Sequence, residues 1–276
     1  MLTLQSARPS QALRPYVRAY AQRNTTILSA PRVEPVPARL EQTLEFEFGD
    51  PFHVCFFNGE TITSPSTTVV GWQNGLRAEV HLVGAVESFA VFFQPAGFSQ
   101  LFGVPMNLLR NQAFEATSVL GNEIRSLWNQ LGEAGSFSCR IPVVESFLYR
   151  FLHRSAITDP IAASANQMLS QRGLVRLDEL AHHVQLSRRQ FERRFQAEVG
   201  ATPKSFARIA RFQTALDLKV IQPHRTWLDT AYDLGYYDQM HLIHDFQKLA
   251  GNAPDRLLRM LGDMRPQALA ASALDK

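Results

Sequence analysis

Residues 177–203 read LDELAHHVQLSRRQFERRFQAEVGATP, and they set the reading of everything around them. Ser187 stands three residues before Gln190, so hydroxyl and amide can cap a helix start reciprocally. Gly200 offers the matching stop. At 100° per residue, Phe191, Phe195 and Val199 share one apolar stripe, while Arg189, Arg193, Gln190 and Gln196 lie opposite. Upstream, Leu177, Leu180, Ala181 and Val184 follow i, i+3, i+4, i+7 spacing, which predicts a first helix buried against those phenylalanines, with Leu186 plugging the same core. The spacing therefore predicts two short helices joined by a tight turn, the second carrying Arg188, Arg189, Arg193 and Arg194. Taken alone, the stretch also fits a helical hairpin whose charged face only keeps the surface wet.

Fifty-one residues downstream the pattern returns. Ser187, Phe191, Phe195, Gly200 and Pro203 are answered by Asp238, Leu242, Phe246, Gly251 and Pro254. Ahead of them the offset is fifty, Leu177 to Trp227 and Ala181 to Ala231, so the second turn, which contains Gly235, holds one extra residue. Between the copies, Thr202 and Pro203 open a helix expected to run to about Ile221, with Phe206, Ile209, Ala210 and Leu216 apolar. Two helix-turn-helix units on a rigid connector suit double-stranded DNA, provided the connector spaces them one helical turn apart, about 34 Å.

Residues from about Pro160 to Leu261 resemble the tandem helix-turn-helix domain of AraC/XylS-type bacterial transcription regulators. LSRRQFERRFQAEVGATP carries the resemblance in the first copy, Arg211 and Ala215 in the connector, and GYYDQMHLIHDFQKLAGNAP in the second. The second copy departs at Met240, where a small polar residue is usual, and at His244, where an arginine is usual. The resemblance implies a sequence-specific DNA-binding regulator with no catalytic or metal residues and no cofactor. It makes Ser187, Arg188, Arg189, Glu192, Arg193 and Gln196 the DNA-facing set of the first copy, and Gln239, Met240, His241 and His244 that of the second. Arg189 and Arg193 are the expected base readers, because a guanidinium can bind guanine bidentately. Arg188 and Arg194 are expected at phosphates or neighbours, Arg194 also pairing with Glu198 at i+4. Gln239 suits adenine and Met240 a thymine methyl; if His244 meets a phosphate, binding weakens as pH rises. RNA polymerase is a further candidate partner.

The 276 residues suffice for two domains, and the net charge of +3 is unevenly spread. Residues 160–265 hold fifteen Lys and Arg against eleven Asp and Glu; residues 1–159 hold twelve against thirteen. The expected division is 1–155, 156–262 and a flexible tail 263–276, and a fragment lacking residues 1–155 is expected to fold and keep some DNA affinity. The two cysteines, Cys55 and Cys139, and a first thirty residues interrupted by four arginines fit a cytoplasmic, reduced chain, with Cys55 in a core. No stretch is apolar enough to span a membrane.

The first half alternates. Leu44, Phe46 and Phe48 are interleaved with Glu45 and Glu47, and further strands are expected over 16–22, 53–57, 67–72, 76–83 and 88–94. Pro31, Pro35 and Pro37 predict an extended loop. Short helices are expected within 95–105 and near 106–110, followed by amphipathic helices over 122–131 and 142–153. The fold class is α+β: an N-terminal β-barrel with trailing helices, then an all-α tandem helix-turn-helix. More loosely, FFQPAGFSQLFGVP and the domain order resemble cupin-like sensor domains, implying a small-molecule effector inside the barrel. Fourteen of nineteen phenylalanines lie in this half, suiting either an apolar effector or plain barrel filling. The trailing helices could pack on the sheet or form a homodimer. Three roles follow for the whole chain: an effector-gated activator, an effector-independent regulator whose barrel only dimerises, or a cupin enzyme with a DNA-binding appendage. Against the last, His53 and His81 look isolated, His182 and His183 cannot face one ion from adjacent helix positions, and no phosphate loop or nucleophile elbow occurs.

Overall fold

The computed structural model describes residues 3–152 and 159–261. In chain order the first half holds strands β1 (Thr3–Ala7), β2 (Val17–Pro35), β3 (Thr43–Glu47), β4 (His53–Phe56), β5 (Thr61–Thr63), β6 (Thr67–Val70) and β7 (Ala78–Phe93). Helix α1 (Gly97–Phe102), strand β8 (Ala113–Glu115) and helices α2 (Ala116–Leu120), α3 (Glu123–Glu133) and α4 (Phe137–Tyr149) follow. The second half is helical among the described residues: α5 (Pro160–Ser170), α6 (Leu177–His183), α7 (Arg188–Val199), α8 (Pro203–Ile221), α9 (Trp227–Asp233), α10 (Gln239–Ala250) and α11 (Pro254–Leu261).

One antiparallel sheet runs β1-β2-β7-β3-β6-β8, and β4, which also carries β5, pairs with β7 beyond the end of β3. It is not the closed barrel expected from the alternation. Among the described residues β1 bonds only β2 and β8 only β6, so the path has two ends. The phenylalanines explain what replaces closure. Phe46, Phe89 and Phe93 face the helical layer, where Phe98, Phe137 and Phe147 meet them in one buried cluster with Leu127, Leu131 and Val144. Phe102 and Phe151 extend it, their rings 4.9 Å apart. A sheet can bury one face against helices instead of against itself, and here the aromatic side chains fill that layer.

The opposite face carries charged side chains beside apolar Val86, Ala90 and Phe92. Cross-strand register puts Arg23, Ser88 and Glu47 in one row and Ala21, Ala90 and Glu45 in the next. Arg23 pairs with Glu34 at 2.9 Å and Arg39 with Glu45 at 3.5 Å. Glu47 sits among them with its carboxyl pushed up to about 8, first by burial and then by Glu45, while Arg23 opposes the shift.

The expected loop through Pro31 and Pro35 is the distal part of β2. Its register against β7 shifts between Ile27 and Arg32, so Pro31 falls where the ladder is interrupted, and Pro35 is the last residue of the strand. Strands expected separately over 76–83 and 88–94 are one strand, β7. Helix α4 begins at Phe137 rather than Pro142, because the Ser136 side chain caps it by accepting from the Cys139 N–H. The 106–110 helix is one 3-10 turn, Met106–Leu109. Cys55 is half-buried and Cys139 exposed, so the core placement of Cys55 is only half met. His53 and His81 are not isolated: they are direct cross-strand partners on β4 and β7, although no group of three metal-ligating side chains forms among the described residues. The 155/156 boundary and the 263–276 tail lie outside the described residues.

Candidate nucleic-acid interface

The helix pair α6–α7 is built by the signals in its sequence. Ser187 accepts from the Gln190 N–H while the Gln190 side chain accepts from the Ser187 N–H at 3.0 Å, a reciprocal cap. The turn is closed by Leu186 N–H donating to the Ala181 carbonyl, with Gln185 at φ +55°. The pair α9–α10 repeats this. Tyr236 N–H donates to the Ala231 carbonyl, Gly235 takes φ +66°, and Asp238 caps α10 by accepting from the His241 N–H at 2.7 Å. Tyr236 therefore answers Leu186, and the extra residue of the second turn is Tyr237.

On α7 the arginines divide. Arg194 turns inward, to Glu198 at 3.0 Å and to Asp159 at 3.3 Å at the start of α5. Burial, then Asp159, pushes the Glu198 carboxyl up to about 7, against the pull of Arg194. Arg188 is exposed but engaged, by Glu192 and by Asp178, each at 3.2 Å. Its bond to Glu192, followed by the charge of Asp178, holds its guanidinium pKa up. Arg189 and Arg193 are exposed and make no hydrogen bond or ion pair among the described residues. With Gln196, also exposed, they form an i, i+4, i+7 row on the face away from buried Phe191, Phe195 and Val199.

The same row on α10 is Met240, His244 and Gln247, all exposed, Met240 at 69%. Gln239 is half-buried, and His241 stands edge-on to the Tyr236 ring, centroids 5.3 Å apart. Buried Tyr236 is held from its other side by Arg211 of α8, whose guanidinium carbon lies 5.1 Å from the ring centre. Arg208 of α8 pairs with Asp245 of α10 at 2.7 Å. Phe246 packs on Phe212 and Trp227, so the connector and both helix pairs share one core. Gln247 and Tyr237 are the exposed positions that sequence reading passes over; the fifty-one-residue repeat, carried through Gln196, points to the first.

The sheet domain touches both of these helices at their far ends. Gln42 reaches the Val199 carbonyl at the end of α7, and Ala38 N–H donates at 2.8 Å to the Leu249 carbonyl in the last turn of α10. A loop after β6 lays Trp72 over Gly200 and Leu76 over Gly251, both left-handed caps at which an added Cβ would come within 2.7 Å and 2.6 Å of those side chains. The two segments are tied together by paired bonds between Arg39 and Gln73, and Glu41 links Arg18 to Gln213 of α8. Trp72, Leu40 and Ala38 are buried in the helical core.

Residues 180–260 match the family model of a helix-turn-helix domain, and residues 5–115 match a domain of unknown function (DUF6597). None of the curated proteins matches. Among solved structures, an apo ToxT variant from Vibrio cholerae aligns with TM-score 0.51 and 11% identity, covering 93% of this chain and 100% of its own. ToxT bound to (E)-4-(8-methylnaphthalen-1-yl)but-3-enoic acid aligns with TM-score 0.50 and 10% identity, covering 94% and 100%. The fold likeness thus spans both halves. A sheet domain is followed by two repeated heads on one connector helix, and residues 180–260 are a helix-turn-helix domain of the AraC type.

Proposed function

We propose that the chain is a transcription regulator of the AraC/XylS type that reads its operator chiefly through the first head, with Arg189 and Arg193 at base edges and Gln196 beside them. The division of the arginines carries this reading. Two are spent on neighbouring carboxylates, and two stand unengaged among the described residues on the exposed face of α7. Ser187 is committed to capping, so it presents the helix N-terminus rather than its own hydroxyl, and Glu192 with Arg188 flanks the groove. In the second head Met240 and His244 replace the two reading arginines, with Gln239 and His241 on either side of Met240, so it discriminates less. Selection from a random duplex library with the full-length chain, at one stated salt concentration, is expected to give a strong block and a weaker one about ten base pairs away. Arg193→Ala should cost about 1–3 kcal/mol and relax one or two positions of the strong block. Equal loss on selected and random DNA would make Arg193 a phosphate contact.

We further propose that a small molecule bound at the sheet domain modulates DNA binding; ToxT, a protein of the same fold, has been solved with a small carboxylic acid bound. The face with Arg23, Glu45 and Glu47 is the surface left for it, because the other face is covered by the helices. A saturable ligand that changes DNA affinity tests this; a ligand that binds without changing it points to a sheet domain that only dimerises.

A further inference from the structure

We propose that Tyr237 is a DNA-backbone contact of the second head, its phenol donating to a phosphate at the rim of the groove that α10 enters. The inference rests on reading α10 as a DNA-facing helix. Three observations carry it. Tyr237 is the inserted residue: the turn hydrogen bonds match Tyr236 to Leu186, and the caps Asp238 and Ser187 correspond, which leaves Tyr237 with no counterpart in the first head. It is presented firmly, because its neighbour Tyr236 is only 3% exposed, clasped between Arg211 and His241, while Tyr237 itself is 87% exposed. Finally, the helix it precedes is poor in fixed positive charge. Helix α7 carries four arginines, whereas α10 has none, and its single lysine, Lys248, lies in the last turn, away from the end that approaches the bases.

Position decides phosphate over base. The first residues inside a recognition helix reach base edges, whereas a residue one step outside the cap lies where the strand backbones flank the groove. A phenol suits that place: its O–H donates to a phosphate oxygen and its ring can lie on the deoxyribose. Being neutral, it displaces no counterion.

That neutrality supplies the test. Wild type, Tyr237→Phe and Tyr237→Ala full-length chains would be titrated with selected and random duplexes over a range of salt concentrations, with thermal melts to confirm folding. Tyr237→Phe is expected to weaken binding about tenfold, near the low end for a hydrogen bond to a charged group, equally on both duplexes. The slope of log affinity against log salt should not change. Tyr237→Ala should bind more weakly still with the same slope. Unaltered affinity in the Phe variant would overturn the proposal, as would a loss confined to the selected duplex with a changed base preference, which would make Tyr237 a base reader. A wild-type chain that bound neither duplex, with Arg193→Ala equally silent, would instead overturn the DNA-facing reading of the heads and this inference with it.

Discussion

Arg194 and Ser187 each have a partner within one helical turn, and sequence spacing alone discloses those two contacts. The Arg194–Glu198 pair and the Ser187–Gln190 cap are local i, i+4 and i, i+3 patterns, and both are present as spacing predicts. Glu47 is not legible in this way. Its neighbours Arg23 and Glu45 reach it only once β2, β7 and β3 are aligned, and its burial depends on the same alignment. Because its pKa is raised to about 8, above that of the unfolded chain, the folded protein keeps this proton over a range in which the unfolded chain has lost it. Stability from this group is therefore fully present below the ordinary carboxylate pKa and is lost as pH rises towards 8. Glu47→Gln should raise the melting temperature relative to wild type at about pH 8.5 and make little difference at about pH 4.5. A shift of equal size at both would show that packing, not ionisation, is responsible.

Elements of the second half are legible because helices announce themselves locally, through caps, a 3.6-residue stripe and a terminal glycine. Helix α8 runs from Pro203 to Ile221, the span that Thr202, Pro203 and its apolar positions predict. Strands announce less. Gly84 interrupts the pattern of β7, so alternation divides one strand into two, and the prolines at 31 and 35 make the end of β2 look like loop until the register shift that accommodates them is visible. A proline misleads at α4 as well: Pro142 suggests a helix start, although Ser136 is the better signal. The cap on α7 should carry measurable weight. Ser187→Ala is expected to lower stability by about 1 kcal/mol and weaken DNA binding with it, since the capped turn orients the reading face; a melting curve and a binding curve check both. Loss of stability without loss of affinity would separate the cap from the interface.

At the scale of the whole molecule, the tandem heads follow from an internal repeat, but the open sheet does not follow from alternation. Alternation fixes which side chains share a face, not what covers that face, and here helices α1 to α4 do so. Nor does any local signal show that residues 38–42 and 71–76 meet the ends of both recognition helices, since the partners are more than a hundred residues away. Trp72→Ala should therefore affect two properties together. It should cost roughly 3 kcal/mol or more as a large-to-small change in a core, and it should relax the dependence of binding on half-site spacing, measured on duplexes whose two blocks are moved apart by one or two base pairs. Unchanged spacing dependence in a destabilised variant would mean that α8 alone sets the geometry.

The contact of the sheet domain with Gly200 and Gly251 also governs how such regulators can be recombined. A hybrid spliced near residue 155, joining these heads to a foreign sensor, would sever a joint made elsewhere, in the two short loops that grip the helix ends. The transplantable unit is the helical half together with those loops, so a working hybrid must graft 38–42 and 71–76 into the new sensor, and the length of the linker is the lesser concern.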